Sequence, residues 1–144
     1  MYDHAMEFVL DRIGDLRDPD LHDGFVDGIR LADDKTVVLS LRDIRGQTFT
    51  MQLIGAEALV CDDFWLGNII MSVWIVSGIA PQKDVLDSLF PPYHPAVDQA
   101  YHDRHAQFME LRVKQITAGE RVLVRIDPSY GCTLTALCRE VLIS

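Results

Sequence analysis

The chain has 144 residues, 49% of them hydrophobic and 24% charged. These are the proportions of one ordinary globular domain, and they exclude a disordered, collagen-like or disulfide-scaffold sequence. Lys and Arg number 13 against 22 Asp and Glu, a net charge of −9 that argues against a polyanion-binding role, so no nucleic-acid partner is expected.

Residues 4–16 predict a helix. Met6, Val9, Leu10 and Ile13 fall at i, i+3, i+4 and i+7, Leu16 extends the stripe, and Asp3 is placed to cap the start. Gly14 weakens the last turn and Asp18-Pro19-Asp20 stops the helix. The first residues, Met1 to Glu7, carry no basic region and no following apolar run of signal length. The longest apolar stretch, Ile69–Val76, is too short for a bilayer, which takes ~20 residues. A cytoplasmic protein with no membrane partner is expected.

Strand signals follow. In Phe25–Leu31 the residues Phe25, Ile29 and Leu31 are apolar, and Asp33-Asp34-Lys35 makes a turn. In Thr36–Arg42, Val37, Leu39 and Leu41 alternate with polar residues; after Asp43-Ile44-Arg45-Gly46, Phe49, Met51 and Leu53 do the same in Thr48–Ile54. Period-2 alternation predicts a meander with one wet face. Ile69–Val76 is apolar on both faces, Trp74 included. It predicts a strand covered on both sides or a homodimer surface.

Val85, Leu86 and Leu89 suggest a short helix, Phe90-Pro91-Pro92-Tyr93-His94-Pro95 an irregular segment, and residues 96–105 a second short helix. Strands are then expected at Phe108–Thr117, Arg121–Ile126 and Thr133–Ile143, separated by turns at Ala118-Gly119-Glu120 and Asp127-Pro128-Ser129-Tyr130-Gly131. The predicted architecture is a single α+β domain over residues 1–144. It has an N-terminal helix, a curved, mostly antiparallel sheet of about seven strands, and a Pro-rich, partly helical excursion.

Four constellations could carry chemistry. His22-Asp23-Gly24 sets an imidazole beside a carboxylate, although a turn explains the same residues. His94, His102 and His105, with Asp98 and Asp103, make a candidate metal set, but the spacing lacks the glutamate of H-E-x-x-H and a solvated helix end accounts for it. Cys61-Asp62-Asp63-Phe64-Trp65, before Gly67-Asn68, joins two carboxylates to two aromatics. Asp62, Asp63 and Trp65 could hold a basic side chain of a partner, and Asp62, Asp63 and Glu57 could supply oxygen ligands to a divalent cation, against the reading of a plain strand-to-strand turn. Around Asp127–Cys132, Ser129 lacks a G-x-S-x-G context and Cys132 reads as part of a turn. No G-x-G-x-x-G or P-loop is present, and no cofactor is expected. The three cysteines, Cys61, Cys132 and Cys138, form no C-x-x-C pair. They read as buried thiols rather than a disulfide framework or a zinc site.

The stretch Leu21-His22-Asp23-Gly24-Phe25-Val26-Asp27-Gly28-Ile29, followed by an alternating strand and a Gly turn, resembles the opening of small bacterial proteins of the toxin-immunity type. The resemblance covers about a third of the chain and supplies no catalytic residue. It implies a small acidic cytoplasmic protein that neutralises a toxin by binding. The sequence therefore predicts a non-catalytic binding protein, an immunity or regulatory module for a basic protein partner. Two alternatives stand beside it: a self-associating subunit joined through Ile69–Val76, and a small metal-dependent enzyme using the histidines of the excursion. Acidic residues gather in the N-terminal segment and the turns. Arg112, Lys114, Arg121, Arg125 and Arg139 give the closing third a more basic character.

Overall fold

The computed structural model describes residues 5–144. Its strands are β1 (Val9–Leu10), β2 (Leu16–Asp18), β3 (Phe25–Leu31), β4 (Val37–Arg42), β5 (Thr48–Ile54), β6 (Ala58–Asp62), β7 (Asn68–Val76), β8 (Val122–Tyr130), β9 (Thr133–Cys138) and β10 (Glu140–Ile143). Two helices, α1 (Lys83–Leu89) and α2 (Gln99–Thr117), lie between β7 and β8.

The main sheet has the order β10-β5-β4-β3-β7-β8-β9-β6, and every pairing in it is antiparallel. Only Gly55-Ala56-Glu57 separates β5 from β6, and only Arg139 separates β9 from β10. The two ends of the sheet are thus continuations of two bent ribbons that pair along their length. Ile54 faces Glu140 in one half, and Ala58 faces Leu137 in the other. The sheet closes on itself as a barrel of two three-stranded meanders.

Alternation fills the interior. Leu39, Met51, Leu53, Val124, Ile126, Leu134 and Ile143 are all completely buried in one cluster. Each buried aliphatic side chain of this kind contributes about 1.5–3 kcal/mol. A second cluster lies outside the wall, where Leu86 and Leu89 of α1 and Ile116 of α2 cover Leu123 of β8 and Leu137 of β9. Strand β9 is therefore buried on both faces, with Leu134, Ala136 and Cys138 turned inward and Leu137 under the helices.

The expected α+β class with an N-terminal helix is overturned. The chain is mostly β, 43% strand against 19% helix, and its first helix begins at residue 83. The N-terminal stretch is an extended arm and a hairpin. Asp11 Oδ1 accepts the backbone N–H groups of Ile13 and Asp15 at 2.9 and 3.0 Å, and Gly14 takes φ 97° to complete the turn. A Cβ on Gly14 would lie 2.8 Å from the Ile75 carbonyl oxygen, so the hairpin seats against β7 only with glycine there. The residues packed on the core are Met6, Phe8 and Leu10, a period-2 set hidden inside the helical one. The proposed Asp3 cap lies outside the described residues.

The other differences are local. Phe108–Thr117, expected as a strand, is the second half of α2, so Arg112 and Lys114 lie on a helix. The expected turn at Asp127–Gly131 narrows to Gly131-Cys132, because β8 runs on to Tyr130. The expected Thr133–Ile143 strand bends at Arg139 into two. The main sheet holds eight strands, with β6 unforeseen. Ile69–Val76 is the strand expected, and the chain covers much of its second face: Val76 packs against the helical cluster, and only Met71 among its large apolar side chains is half exposed. No helix among the described residues is long and apolar enough to cross a membrane.

Candidate functional site

The connection from β6 to β7, residues Asp63–Gly67, presents large apolar side chains to solvent. Phe64 is 44% exposed, Trp65 52% and Leu66 108%. Such a cluster is unusual on a small protein and marks a contact surface more often than a structural need. Asp62 and Asp63 flank it, both exposed. Among the described residues neither forms an ion pair. The ring of Tyr130, at the end of β8, meets Trp65 edge to face at 5.1 Å.

This loop has a defined shape because one buried amide holds it. Asn68, only 3% exposed, accepts on Oδ1 from the Trp65 N–H at 2.8 Å and from the Cys132 N–H at 3.1 Å. Its Nδ2 donates to the Trp65 carbonyl at 2.8 Å and to the Val26 carbonyl at 3.3 Å. The side chain thus ties the loop to β3 and to the β8–β9 turn. Gly131, at φ 87°, makes room for it, since a Cβ there would stand 2.5 Å from Asn68 Oδ1. Asp63 turns the chain with φ 56°. Nothing in the local sequence around Gly67-Asn68 announces this brace, because its partners Val26 and Cys132 are remote along the chain.

His22 and Asp23 lie further along the same seam. The Asp23 N–H donates to the Ile70 carbonyl at 2.8 Å, and the Ile70 N–H to the Gly24 carbonyl at 2.8 Å. His22 Nδ1 lies 2.7 Å from the Met71 carbonyl, to which it donates, and Nε2 lies 3.5 Å from Asp23 Oδ2. The carbonyl of Met71, then the carboxylate of Asp23, raise the His22 pKa above its ordinary value. The imidazole and the carboxylate are therefore brought together, but on open surface: both side chains are 61% exposed.

The histidines of the excursion do not converge. His94 accepts the Ala96 N–H on Nδ1 at 3.0 Å, a local turn contact. His105 packs edge to face on Tyr93 at 5.8 Å, and His102 lies on α2. Among the described residues no three His, Cys, Asp or Glu side chains are grouped to hold a metal ion.

A groove of about 280 Å³ opens between the N-terminal hairpin and the helical segment, walled by Ile13, Trp74, Ile79 and Val85, with Arg125 and Asp127 at one side. Its polar groups engage one another. Trp74 Nε1 donates to Asp127 Oδ2 at 3.0 Å, Arg125 Nε donates to Asp127 Oδ1 at 3.0 Å, and Arg125 Nη1 donates to Thr135 Oγ1 at 3.0 Å. The network fixes this wall of the groove. No protein-family model, curated protein or solved structure matches the chain.

Proposed function

We propose that the protein is a non-catalytic binding module that captures a basic protein partner on the Asp62–Leu66 loop, in the manner of an immunity or regulatory protein. The observation that carries this reading is the exposed Phe64-Trp65-Leu66 triplet on a loop held from beneath by Asn68. A fixed loop loses little conformational entropy on association, and protruding aromatics are the side chains that most often dominate binding energy. Asp62 and Asp63 add charge beside the apolar anchor. Together with the net charge of −9, they favour a cationic partner and speed encounter at low salt.

The roles divide accordingly. Trp65 and Leu66 enter an apolar recess of the partner, while Asp62 and Asp63 meet Lys or Arg at its rim. Asn68 positions the loop without touching the partner. The test is isothermal titration of the purified chain against the purified products of the genes beside its own, at low and high salt. Binding that weakens with salt, and at least about tenfold further with Trp65→Ala or Leu66→Ala, supports the reading. Equal binding by the wild type and both loop variants, or no binding by any of these products, defeats it.

A further inference from the structure

Beneath the same loop lie two of the three cysteines. Cys61 of β6 stands opposite Leu134 of β9, and Cys132 comes two residues before Leu134, so the two thiols occupy a diagonal on one face of an antiparallel pair. Their sulfur atoms are 2.9 Å apart, closer than unbonded sulfurs rest in contact and near the bonded separation of about 2.0 Å. Cys132 is held in place by its N–H bond to Asn68 Oδ1 and by the Gly131 turn before it. The two sulfurs differ in access: Cys61 is half-buried, whereas Cys132 is 1% exposed. Cys138 is fully buried, its sulfur directed at the Val122 carbonyl 3.8 Å away.

We propose that Cys61 and Cys132 are a redox-active dithiol that closes to an intramolecular disulfide when a small-molecule disulfide such as oxidised glutathione is present. The step is a double exchange. The Cys61 thiolate attacks one sulfur of the oxidant, the oxidant's S–S bond breaks, and one thiol leaves carrying a proton. Cys132 then gives up its proton and attacks Cys61 Sγ, expelling the second small thiol. The protein loses two electrons and two protons, and the oxidant becomes two thiols.

Access decides the order of events, with the half-buried Cys61 reacting first and the buried Cys132 resolving. Burial, then the neighbouring Cys61 sulfur and the carboxylates of Asp62 and Asp63, push the Cys132 pKa up, so its thiolate is scarce at neutral pH. The resolving step is consequently slow at neutrality and accelerates with pH, by about tenfold per unit while the thiol form predominates. Cys138, its pKa pushed up to about 12 chiefly by burial, stays out of the exchange.

The inference rests on the placement of the sulfurs and not on what the loop binds, so it stands or falls apart from the binding reading. The test uses the intact chain, treated with oxidised glutathione under native, mildly alkaline conditions, where the resolving step is faster, until the mass no longer changes, then denatured, alkylated and weighed. The expected product has lost two hydrogens, keeps one alkylatable thiol out of three, and gives a Cys61–Cys132 cross-linked peptide. Cys132→Ala should stop at one glutathione on Cys61, and Cys61→Ala should leave Cys132 unmodified. Wild-type chain that accumulates the glutathione adduct as Cys132→Ala does, or keeps all three thiols, overturns the proposal. The wild-type measurement decides even where a cysteine variant fails to fold.

Discussion

The Asp62–Asn68 loop and the excursion that ends in α2 both leave the barrel wall, and both carry aromatic rings at the surface. They are held by different physics. The loop is tied by four hydrogen bonds from a single buried amide, three of them to backbone N–H or carbonyl groups of the loop and the turn beside it. The excursion rests on ring contacts, Phe90 with Phe108 at 4.9 Å and Tyr93 with Tyr101 at 5.7 Å. An Arg112–Glu57 ion pair at 2.8 Å and the buried Leu86, Leu89 and Ile116 add to its attachment. Directional bonds to backbone fix a shape, whereas ring edges and an apolar seal, with Ile116 as the plug from α2, tolerate sliding. A binding surface gains from the first kind of support and a cover over the core needs only the second.

The sharpest way to break that contrast is to remove the plug. Ile116→Ala should cost about 2–5 kcal/mol in denaturant unfolding, with hydrogen exchange rising mainly in α2 and α1. Exchange rising equally through β4 and β5 would show the helices to be part of one cooperative unit with the barrel. Asn68→Ala comes next, at about 1–3 kcal/mol, mainly from the buried Cys132 N–H left without its acceptor. Its exchange should rise at the Trp65 and Cys132 amides and leave α2 unchanged; unaltered loop amides would contradict the brace.

Trp65→Ala is expected to be much milder, about 0.5–1.5 kcal/mol from its ring contact with Tyr130, because the side chain is half exposed. A large drop in melting temperature would instead make Trp65 structural and weaken its assignment to binding. The smallest effect belongs to His22. Its folded pKa is raised above 6.5, so the stability it adds is fully present below pH 6.5 and fades as pH rises through the folded value. Melting of wild type and His22→Gln should differ at mildly acidic pH and converge in alkali. A gap that widens with pH would reverse the assigned hydrogen bond to Met71.

The strands of the first meander were legible because alternation at Val37, Leu39 and Leu41, then Phe49, Met51 and Leu53, has a single period and clear turns on both sides. The N-terminal segment carried two periods at once. Met6, Val9, Leu10 and Ile13 satisfy a helix, Met6, Phe8 and Leu10 a strand, and Asp11 with Gly14 tips the balance by forming a hairpin turn. Phe108–Thr117 departs from the expected strand because Gln107, Met109, Glu110, Leu111, Arg112 and Lys114 are all good helix formers and no turn residue separates them from His105. Of the candidate site, Asp62, Asp63 and Trp65 could be found from composition alone. The role of Asn68 could not, since its partners Val26 and Cys132 lie 42 and 64 residues away. The proximity of Cys61 to Cys132 was equally hidden, because β6 was not foreseen and its register against β9 is what aligns the sulfurs.

The bent ribbons have a kinetic consequence. β5 and β6 are complete by Asp62, yet the strands that cover their outer edges, β9 and β10, begin only at Thr133. Until those arrive, the first meander presents bare N–H and C=O groups along a hydrophobic strand, a template for any other chain with an open edge. Contacts this distant in sequence also make folding slow, since loop closure comes before its reward. Removing β10 would leave the β5 edge open permanently and turn that part of the barrel wall into a surface for aggregation.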